Sequence, residues 1–195
     1  MRIVNTAIDG VRIVEPVVHE DHRGFFMESY NQRLFEEHGL RFSFIQDNHS
    51  LSTELGTVRG LHYQLSPMAQ TKLVRVLAGS IFDVAVDIRR SSPTFGQWVG
   101  VELSAANKRQ LLIPKGFAHG FCTLEPDTQV SYKVDQYYSR EHDRGIRYND
   151  PDIGIVWPNV IDPASLSGKD ASCPGLADAE LDRAGDYGLD REGEE

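Results

Sequence analysis

Short runs of β-branched and aromatic residues dominate this chain, and Gly, Pro, Asn and Asp separate them. The clearest runs are FSFIQDNHSL, TKLVRVLAGSIFDVAVDI, WVGVELSA, RQLLIP, GFCTLE and QVSYKVDQYY. Such side chains favour the pleated surface of a sheet, and the residues between the runs favour turns. Many short strands with regular turns are typical of a double-sheet barrel or jelly roll. The sequence therefore predicts a mainly all-β fold with a few short helices.

Helical signals are scarce. Asn31 is suited to cap a short helix in QRLFEEH, which should end at Gly39, a residue type favoured just past a helix. From Tyr148 onward, three Pro and scattered Gly in NDPDIGIVWPNVIDPASLSGKD predict a loop-rich segment that wraps the barrel.

The length of 195 residues, 40% of them hydrophobic, is enough for one well-buried domain. We expect this domain to span residues 1–175. The remaining segment, 176–195, contains eight Asp or Glu and two Arg, so it holds −6 of the formal net charge of −9. Its acid and Gly content predicts a poorly ordered tail.

The body of the chain is therefore only mildly acidic and has no clustered cations for a nucleic-acid surface. No run of eighteen apolar residues is present, and the start, MRIVNTAIDG, lacks the layout of a signal peptide. We expect a soluble cytoplasmic protein with neither nucleic acid nor membrane as partner.

Polar residues interrupt one predicted strand, GLHYQL, at alternate positions. Leu61, Tyr63 and Leu65 should face one side, and His62 and Gln64 the other, because strand side chains alternate with period two. One of the two faces must be wet or functional.

The spacing around this strand resembles the first motif of the cupin barrels. Gly56 precedes His62 by five intervening residues, and Lys72 precedes Gly79 by six. A second stretch, IPKGFAHGF, supplies Pro114, Gly116 and His119 in the order of the second cupin motif. The pair of motifs predicts a cupin-type jelly roll that brings both stretches together.

The residues at two positions of this pattern disfavour a bound metal ion. Gln64 stands where metal-binding cupins have their second histidine, and Lys72 where their glutamate is expected. A lysine ammonium has three donors and no acceptor, so it repels a divalent cation. We predict a polar barrel interior without a metal site.

The interior residues suit proton transfer beside a carbonyl. Such a reaction needs a base, a cation at the developing enolate oxygen and an acid that returns the proton. The expected interior residues His62, Lys72, His119 and Tyr132 are of the types that fill these roles.

Longer blocks extend the resemblance to one enzyme family. RGFFMESY, QDNHS, RGLHYQ, QTKLVRV, GSIFDVAVDIR, PTFGQW, IPKGFAHGF, YYSREHDRGIRYNDPDIGIVWP and LSGKD follow one another between about Asp9 and Pro174. In this order they resemble the dTDP-4-dehydrorhamnose 3,5-epimerases.

The resemblance implies the reaction and its catalytic residues. It implies a dTDP-linked 4-keto-6-deoxy sugar that is inverted at C3 and C5, with no cofactor. By similarity His62 is the base, and Asp170 orients its ring. Lys72 stabilises the enolate oxygen, and Tyr132 returns a proton from the opposite face.

The resemblance also implies how the nucleotide is held. Arg23 and Arg59 would bind the diphosphate, Glu28, Gln46 and Asn48 would hydrogen-bond the base and sugar, and Phe26 and Tyr138 are candidates for stacking on thymine. His119 would lie near the phosphate or the sugar. The family pairs its barrels through exchanged N-terminal strands, so a homodimer is expected.

Three other functions stay open. The enzyme could invert C3 only, or isomerise another dTDP-4-keto-6-deoxy sugar, with nearly the same residues. A metal-dependent cupin dioxygenase would need a bound metal, which Lys72 disfavours. A non-catalytic sugar-binding cupin would bind the nucleotide sugar without exchanging its hydrogens with solvent.

Overall fold

The structure, a computed structural model of the chain, describes residues 1–183. The strands within this range are β1 (Arg2–Asn5), β2 (Arg12–Glu15), β3 (His19–Asp21), β4 (Gly24–Phe26), β5 (Gln46–Ser52), β6 (Val58–Gln64), β7 (Lys72–Ala78), β8 (Ser80–Asp87), β9 (Trp98–Ser104), β10 (Gln110–Ile113), β11 (Phe117–Thr123), β12 (Thr128–Val134) and β13 (Asp143–Gly145). The helices are α1 (Gln32–Glu37) and α2 (Gly168–Ala171), and a 3-10 turn covers Pro163–Ser165.

Two antiparallel sheets form the body of the protein. One has the strand order β1-β2-β10-β7-β12-β5 and the other β13-β6-β11-β8-β9, while β3 and β4 form a separate hairpin. Strands that are distant in the chain are neighbours in both sheets, so neither sheet is a simple meander. This is the predicted mainly β, double-sheet jelly-roll barrel.

Side chains from both sheets meet between them. Val74 and Val130 of the six-stranded sheet pack in one buried cluster with Ile81, Ala85 and Phe121 of the five-stranded sheet. Because side chains alternate along a strand, the polar residues two positions away on the same strands also point inward. The interior therefore contains both an apolar core and the polar residues Lys72, Asp83, His119 and Tyr132.

The outer face of the five-stranded sheet is covered by the predicted loop-rich segment. Leu61 and Val84 of this sheet are buried against Ile146, Ile153 and Trp157. The segment contains little regular structure apart from the 3-10 turn and α2. It brings α2 against β6.

The packed domain continues past residue 175, where the sequence predicts an end. Leu176 and Ala179 are buried in the cluster on the outer face of the sheet. The Tyr63 hydroxyl donates to the Glu180 carbonyl at 2.6 Å, and the backbone N–H of Ser66 donates to the Asp182 carboxylate at 3.0 Å. Residues 176–183 of the predicted tail therefore contact the packed domain, while residues 184–195 lie outside the described part of the chain.

Helix α1 covers part of the outer face of the six-stranded sheet. The side chain of Asn31 accepts a hydrogen bond from the Leu34 backbone N–H at 3.3 Å, which is the predicted cap. Gly39 follows the helix with φ of +75°, a value that favours glycine. Phe35 is the buried residue of the helix, and it packs against Val14, Leu73 and Leu112.

The hairpin of β3 and β4 stands apart from both sheets. Its strand residues are all exposed, including Phe25 and Phe26 at 56% and 67%. Among residues 1–183, no helix has the length and apolar character needed to cross a membrane.

Candidate active site

Strand β6 divides its side chains between two environments, as its alternation predicts. Leu61 and Tyr63 pack in the cluster on the outer face of the sheet. His62 and Gln64 line a cavity inside the barrel, with a volume of about 290 Å³.

Arg59 reaches the same cavity because β6 is irregular at Gly60. His119 pairs with His62 but Phe121 pairs with Arg59, so β6 has one residue more than β11 between these pairs. Such a bulge turns a side chain to the other face. Gly60 has φ of +121°, and a Cβ there would lie 2.5 Å from a backbone atom of β11. Glycine is therefore needed at the bulge.

The cavity brings together a majority of the residues that the sequence singles out. Strands β6 and β11 contribute from one sheet, β7 and β12 from the other, and α2 contributes from the loop-rich segment. The predicted residues that line it are Arg59, His62, Lys72, His119, Tyr132, Tyr138 and Asp170.

His62 and Asp170 form a hydrogen-bonded pair across 108 residues of chain. His62 Nε2 lies 2.5 Å from Asp170 Oδ1, and the Asp170 side chain is only 5% exposed. Burial raises the pKa of Asp170, but the His62 ring, the Ser167 hydrogen bond and the Lys169 charge outweigh this effect and lower it. An ionised Asp170 accepts the Nε2 proton, which leaves the lone pair of Nδ1 free.

The position of Asp170 depends on the first turn of α2. The Ser167 side chain caps this helix and accepts a hydrogen bond from the Asp170 backbone N–H at 3.1 Å. Serine is among the preferred residues at this position. The cap fixes the backbone from which the Asp170 carboxylate reaches His62.

Lys72 extends from the six-stranded sheet to the strand that carries His62. Its Nζ donates to the His62 carbonyl oxygen at 3.2 Å, which leaves two donors for a ligand. Burial lowers the pKa of Lys72 to about 8, and the charges of Asp83 and Asp143 oppose this effect. Lys72 is thus a cation at neutral pH that loses its charge as the pH rises through about 8.

A second histidine and carboxylate pair lies deeper in the barrel. His119 Nε2 is 2.7 Å from Asp83 Oδ1, and both side chains are buried. Burial lowers the pKa of His119 despite the opposing charge of Asp83, so the ring is neutral at neutral pH. The sequence placed His119 in the pocket but did not single out Asp83.

Tyr132 faces the cavity from the sheet opposite His62. It lies on β12, next to Val74 of β7 and Asn48 of β5 in the register of the six-stranded sheet. Burial raises the pKa of its phenol, so the hydroxyl keeps its proton. A ligand between the sheets would have the His62 ring on one side and the Tyr132 hydroxyl on the other.

The mouth of the cavity carries a polar group built around Asp143. The Tyr138 hydroxyl donates to Asp143 Oδ2 at 3.2 Å, and Lys169 Nζ donates to the same oxygen at 2.5 Å. Tyr138 itself is 57% exposed, so its side chain is accessible to a ligand at the mouth. Gln46 Oε1 accepts the Tyr138 backbone N–H at 3.2 Å.

The chain from residue 5 to residue 178 matches the family model described as dTDP-4-dehydrorhamnose 3,5-epimerase. The chain belongs to this family. A relative of the same name from Shigella flexneri is 56% identical over 181 residues, which cover 92% of this chain and 98% of the relative.

Solved structures of relatives agree with this 3,5-epimerase family assignment. The epimerase of Legionella pneumophila, in complex with dTDP-4-keto-L-rhamnose, is 50% identical, with a TM-score of 0.88 and coverage of 93% of this chain and 97% of that one. A 3'-monoepimerase from Streptomyces bikiniensis, in complex with dTDP-quinovose, is 35% identical, with a TM-score of 0.83 and coverage of 88% and 86%.

Three residues that the family resemblance assigns to the nucleotide lie away from the cavity. Arg23 is in the hairpin, pairs with Asp21 at 2.5 Å and has a side chain that is 78% exposed. Phe26 ends the hairpin, and Glu28 accepts from Asn31 at 3.2 Å. None of the three lines the His62 cavity within this chain.

Three further residues that the resemblance assigns to the nucleotide, Gln46, Asn48 and Arg59, lie in or beside the His62 cavity. Gln46 Nε2 donates to Asn48 Oδ1 at 2.9 Å, and Asn48 lines a neighbouring depression that also reaches Tyr132. Arg59 holds the end of β5 through Ser52 Oγ and the Leu51 carbonyl, both at 3.0 Å. Its guanidinium still lines the cavity, where an anion could replace these contacts.

The residues at the cavity of this epimerase family member that the sequence did not single out include Asp83, Asp143, Ser167 and Lys169. Asp83 left a signal, because an acidic residue interrupts the apolar strand SIFDVAVD at an inward position. Within residues 1–183, no three His, Cys, Asp or Glu side chains are arranged to hold a metal ion. Lys72 stands at the place in the cupin pattern where metal-binding cupins have their glutamate.

Proposed function

We propose that this member of the dTDP-4-dehydrorhamnose 3,5-epimerase family inverts C3 and C5 of dTDP-4-dehydro-6-deoxy-D-glucose, without a cofactor, to give dTDP-4-dehydro-L-rhamnose. The observation that carries the proposal is one cavity in which His62 is held by Asp170 and faced by Lys72 and Tyr132. These are the base, the cation and the acid that the reaction needs.

Proton removal begins at a carbon next to the C4 carbonyl. His62 Nδ1 takes the proton, and the electron pair of the C–H bond forms the enolate double bond while charge moves to the C4 oxygen. The Lys72 ammonium, which has donors to spare, stabilises that oxygen. Asp170 stabilises the imidazolium that forms.

Inversion requires that the new proton arrive from the other face. Tyr132 lies on the sheet opposite His62, and its raised pKa keeps the phenol in the acid form. Its O–H bond breaks as the new C–H bond forms and the C4 carbonyl is restored. Solvent then returns both side chains to their starting states, and the same steps at the second carbon complete the reaction.

The nucleotide part of the substrate needs two subunits in this proposal. Arg59 and Tyr138 line the cavity, whereas Arg23, Phe26 and Glu28 lie on or after an exposed hairpin that does not reach it. A homodimer with exchanged N-terminal strands would bring the hairpin of one subunit to the cavity of the other. The exposed Phe25 and Phe26 of the hairpin support such an association. We place the enzyme in the cytoplasm.

One alternative remains supported, inversion at C3 only, because a 3'-monoepimerase shares this fold.

Deuterium exchange distinguishes inversion at C3 and C5 from inversion at C3 only. Purified enzyme is incubated with dTDP-4-keto-6-deoxyglucose in deuterated water, and the product is analysed by NMR. We expect deuterium at C3 and C5 with both centres inverted. Deuterium and inversion at C3 alone would establish the monoepimerase, and no exchange would overturn both.

A further inference from the structure

Glutamine side chains from outside the segment hold the backbone of residues 136–139. Gln70 Nε2 donates to the Gln136 carbonyl at 2.8 Å. Gln64 Nε2 donates to the Tyr137 carbonyl at 3.1 Å, and its Oε1 accepts the Ser139 N–H at 2.7 Å. Gln46 Oε1 accepts the N–H of Tyr138, between these two contacts. Gln46, Gln64 and Gln70 are hereafter called the glutamine clamp.

Gln64 is the central member of this clamp. It is 5% exposed, and its Nε2 also donates to the Met68 carbonyl at 2.5 Å. The amide N–H groups donate to two backbone carbonyls and the amide oxygen accepts from a backbone N–H, so every partner of this side chain named here is a backbone group. A carboxylate at position 64 could not donate these hydrogen bonds, and an apolar side chain there would leave the backbone groups without their side-chain partner.

The same strand pair also holds the ring end of Tyr138. Asp143 of β13 lies opposite Gln64 of β6 in the register, and it accepts the Tyr138 hydroxyl. Two residues that face each other across one pair of strands therefore fix Tyr138, one through the backbone on both sides of it and the other through its hydroxyl. The Tyr138 ring is fixed in direction although it is exposed.

We propose that Gln64 is a positioning residue that orients Tyr138 as the platform on which the nucleotide base stacks. This rests on the proposed function and on the family resemblance, by which Tyr138 is a candidate for stacking on thymine. Gln64 thereby sets affinity for the nucleotide and takes no part in proton transfer, since both N–H groups of its amide donate to backbone carbonyls. Gln64 stands where metal-binding cupins have their second histidine, and in this chain that position supports the nucleotide site.

Three variants test this inference. Gln64→Met removes the central contacts, and Gln70→Met removes only the bond to Gln136. Gln97→Met is the matched control, because Gln97 is an exposed glutamine outside the cavity. Each is made in the parent and in Tyr138→Ala. We would measure affinity for TDP by calorimetry, kcat at saturating substrate, and hydrogen exchange of the Ser139 amide.

Base stacking on an aromatic ring is worth about 1–3 kcal/mol, so Tyr138→Ala should weaken TDP binding roughly 5- to 150-fold. We expect Gln64→Met to reach a similar factor and Gln70→Met a smaller one, with faster Ser139 exchange in Gln64→Met and kcat within about twofold of the parent. In the Tyr138→Ala background, neither change should weaken TDP binding further.

The inference is overturned if Gln64→Met weakens TDP binding equally with and without Tyr138, if it lowers kcat at unchanged affinity, or if Tyr138→Ala binds TDP like the parent. If Gln64→Met does not fold, the Gln70→Met pair decides by the same criteria. Unchanged Ser139 exchange in folded Gln64→Met would refute the clamp itself. A parent enzyme without epimerase activity would instead refute the proposed function. Hydrogen exchange of the Ser139 amide would still test the glutamine clamp in that case.

Discussion

His119 donates from Nε2 to Oδ1 of Asp83 inside the barrel, and the other oxygen of Asp83 has no hydrogen-bond partner among residues 1–183. The Asp83 side chain has no exposed surface. Its charge acts on a third buried group, Lys72, whose pKa burial lowers and Asp83 raises in part. Together with Asp143, Asp83 therefore helps Lys72 to stay protonated in a site that disfavours charge.

The first prediction concerns the pH profile of Asp83→Asn. The amide keeps the shape and can still accept the proton of His119, but it removes the negative charge. Lys72 has a pKa of about 8, so turnover of the parent should fall as the pH rises through that value. In Asp83→Asn this alkaline limb should move to lower pH. We would measure kcat from pH 6 to 10; an unmoved limb would show that Asp83 does not tune Lys72.

Lys72→Met should lower turnover while it raises stability at neutral pH. The pKa of Lys72 is about 8 in the folded state and 10.5 for an ordinary lysine, so the unfolded chain binds more protons between these values. The stability of the parent therefore rises with pH across that window, and below it the buried charge costs on the order of 1–3 kcal/mol. Urea unfolding at pH 7 should show a gain for Lys72→Met that shrinks toward pH 10. A loss of stability at pH 7 would contradict this.

The sequence is sufficient to predict several inward residues of the barrel, because alternation along each strand and the order of the two cupin motifs place them together. Lys72, His119 and Tyr132 lie on strands whose period-two pattern puts them in the interior with His62. Asp170 is different: it lies on a helix of four residues in the loop-rich segment, where no periodicity points to a partner. Only the family resemblance connected it to His62.

Other features depend on contacts that no local pattern encodes. Arg59 turns into the cavity because β6 has one extra residue opposite β11, which strict alternation does not reveal. The composition of the acidic segment after Gly175 predicts a solvated tail, yet Leu176 and Ala179 pack against apolar side chains of the sheet. Burial of a few apolar side chains, and not net charge, decides where such a segment docks.

Loss of the base or of its orienting carboxylate should remove most turnover. General base catalysis is typically worth ~100- to 10,000-fold, so we expect His62→Ala and Asp170→Ala to lose activity within that range. TDP affinity should stay close to that of the parent, because neither side chain is assigned to the nucleotide. Steady-state kinetics and calorimetry check the two parts. A His62→Ala enzyme of near-normal rate would rule out the assigned base.

Mixed dimers test whether the hairpin serves a neighbouring subunit. Arg23→Ala and His62→Ala should each be nearly inactive alone. In a mixed dimer, one cavity combines an intact His62 with an intact Arg23 from the partner, so activity should reappear on mixing. Light scattering first checks that the active species is a dimer, and differently tagged subunits prove the exchange. No recovery despite proven mixing would assign Arg23 to the cavity of its own chain.

Tyr132→Phe separates proton removal from inversion. If Tyr132 only packs and bonds a neighbour, loss of its hydroxyl costs roughly 0.5 to 1.5 kcal/mol, and the variant should turn over with a modest deficit. As the acid on the sheet opposite His62, it should instead block proton delivery while removal by His62 continues. We therefore expect Tyr132→Phe to exchange substrate hydrogens with deuterated water yet form much less epimerised product. Equal losses of exchange and inversion would indicate a binding role, and unchanged inversion would exclude Tyr132 from the mechanism.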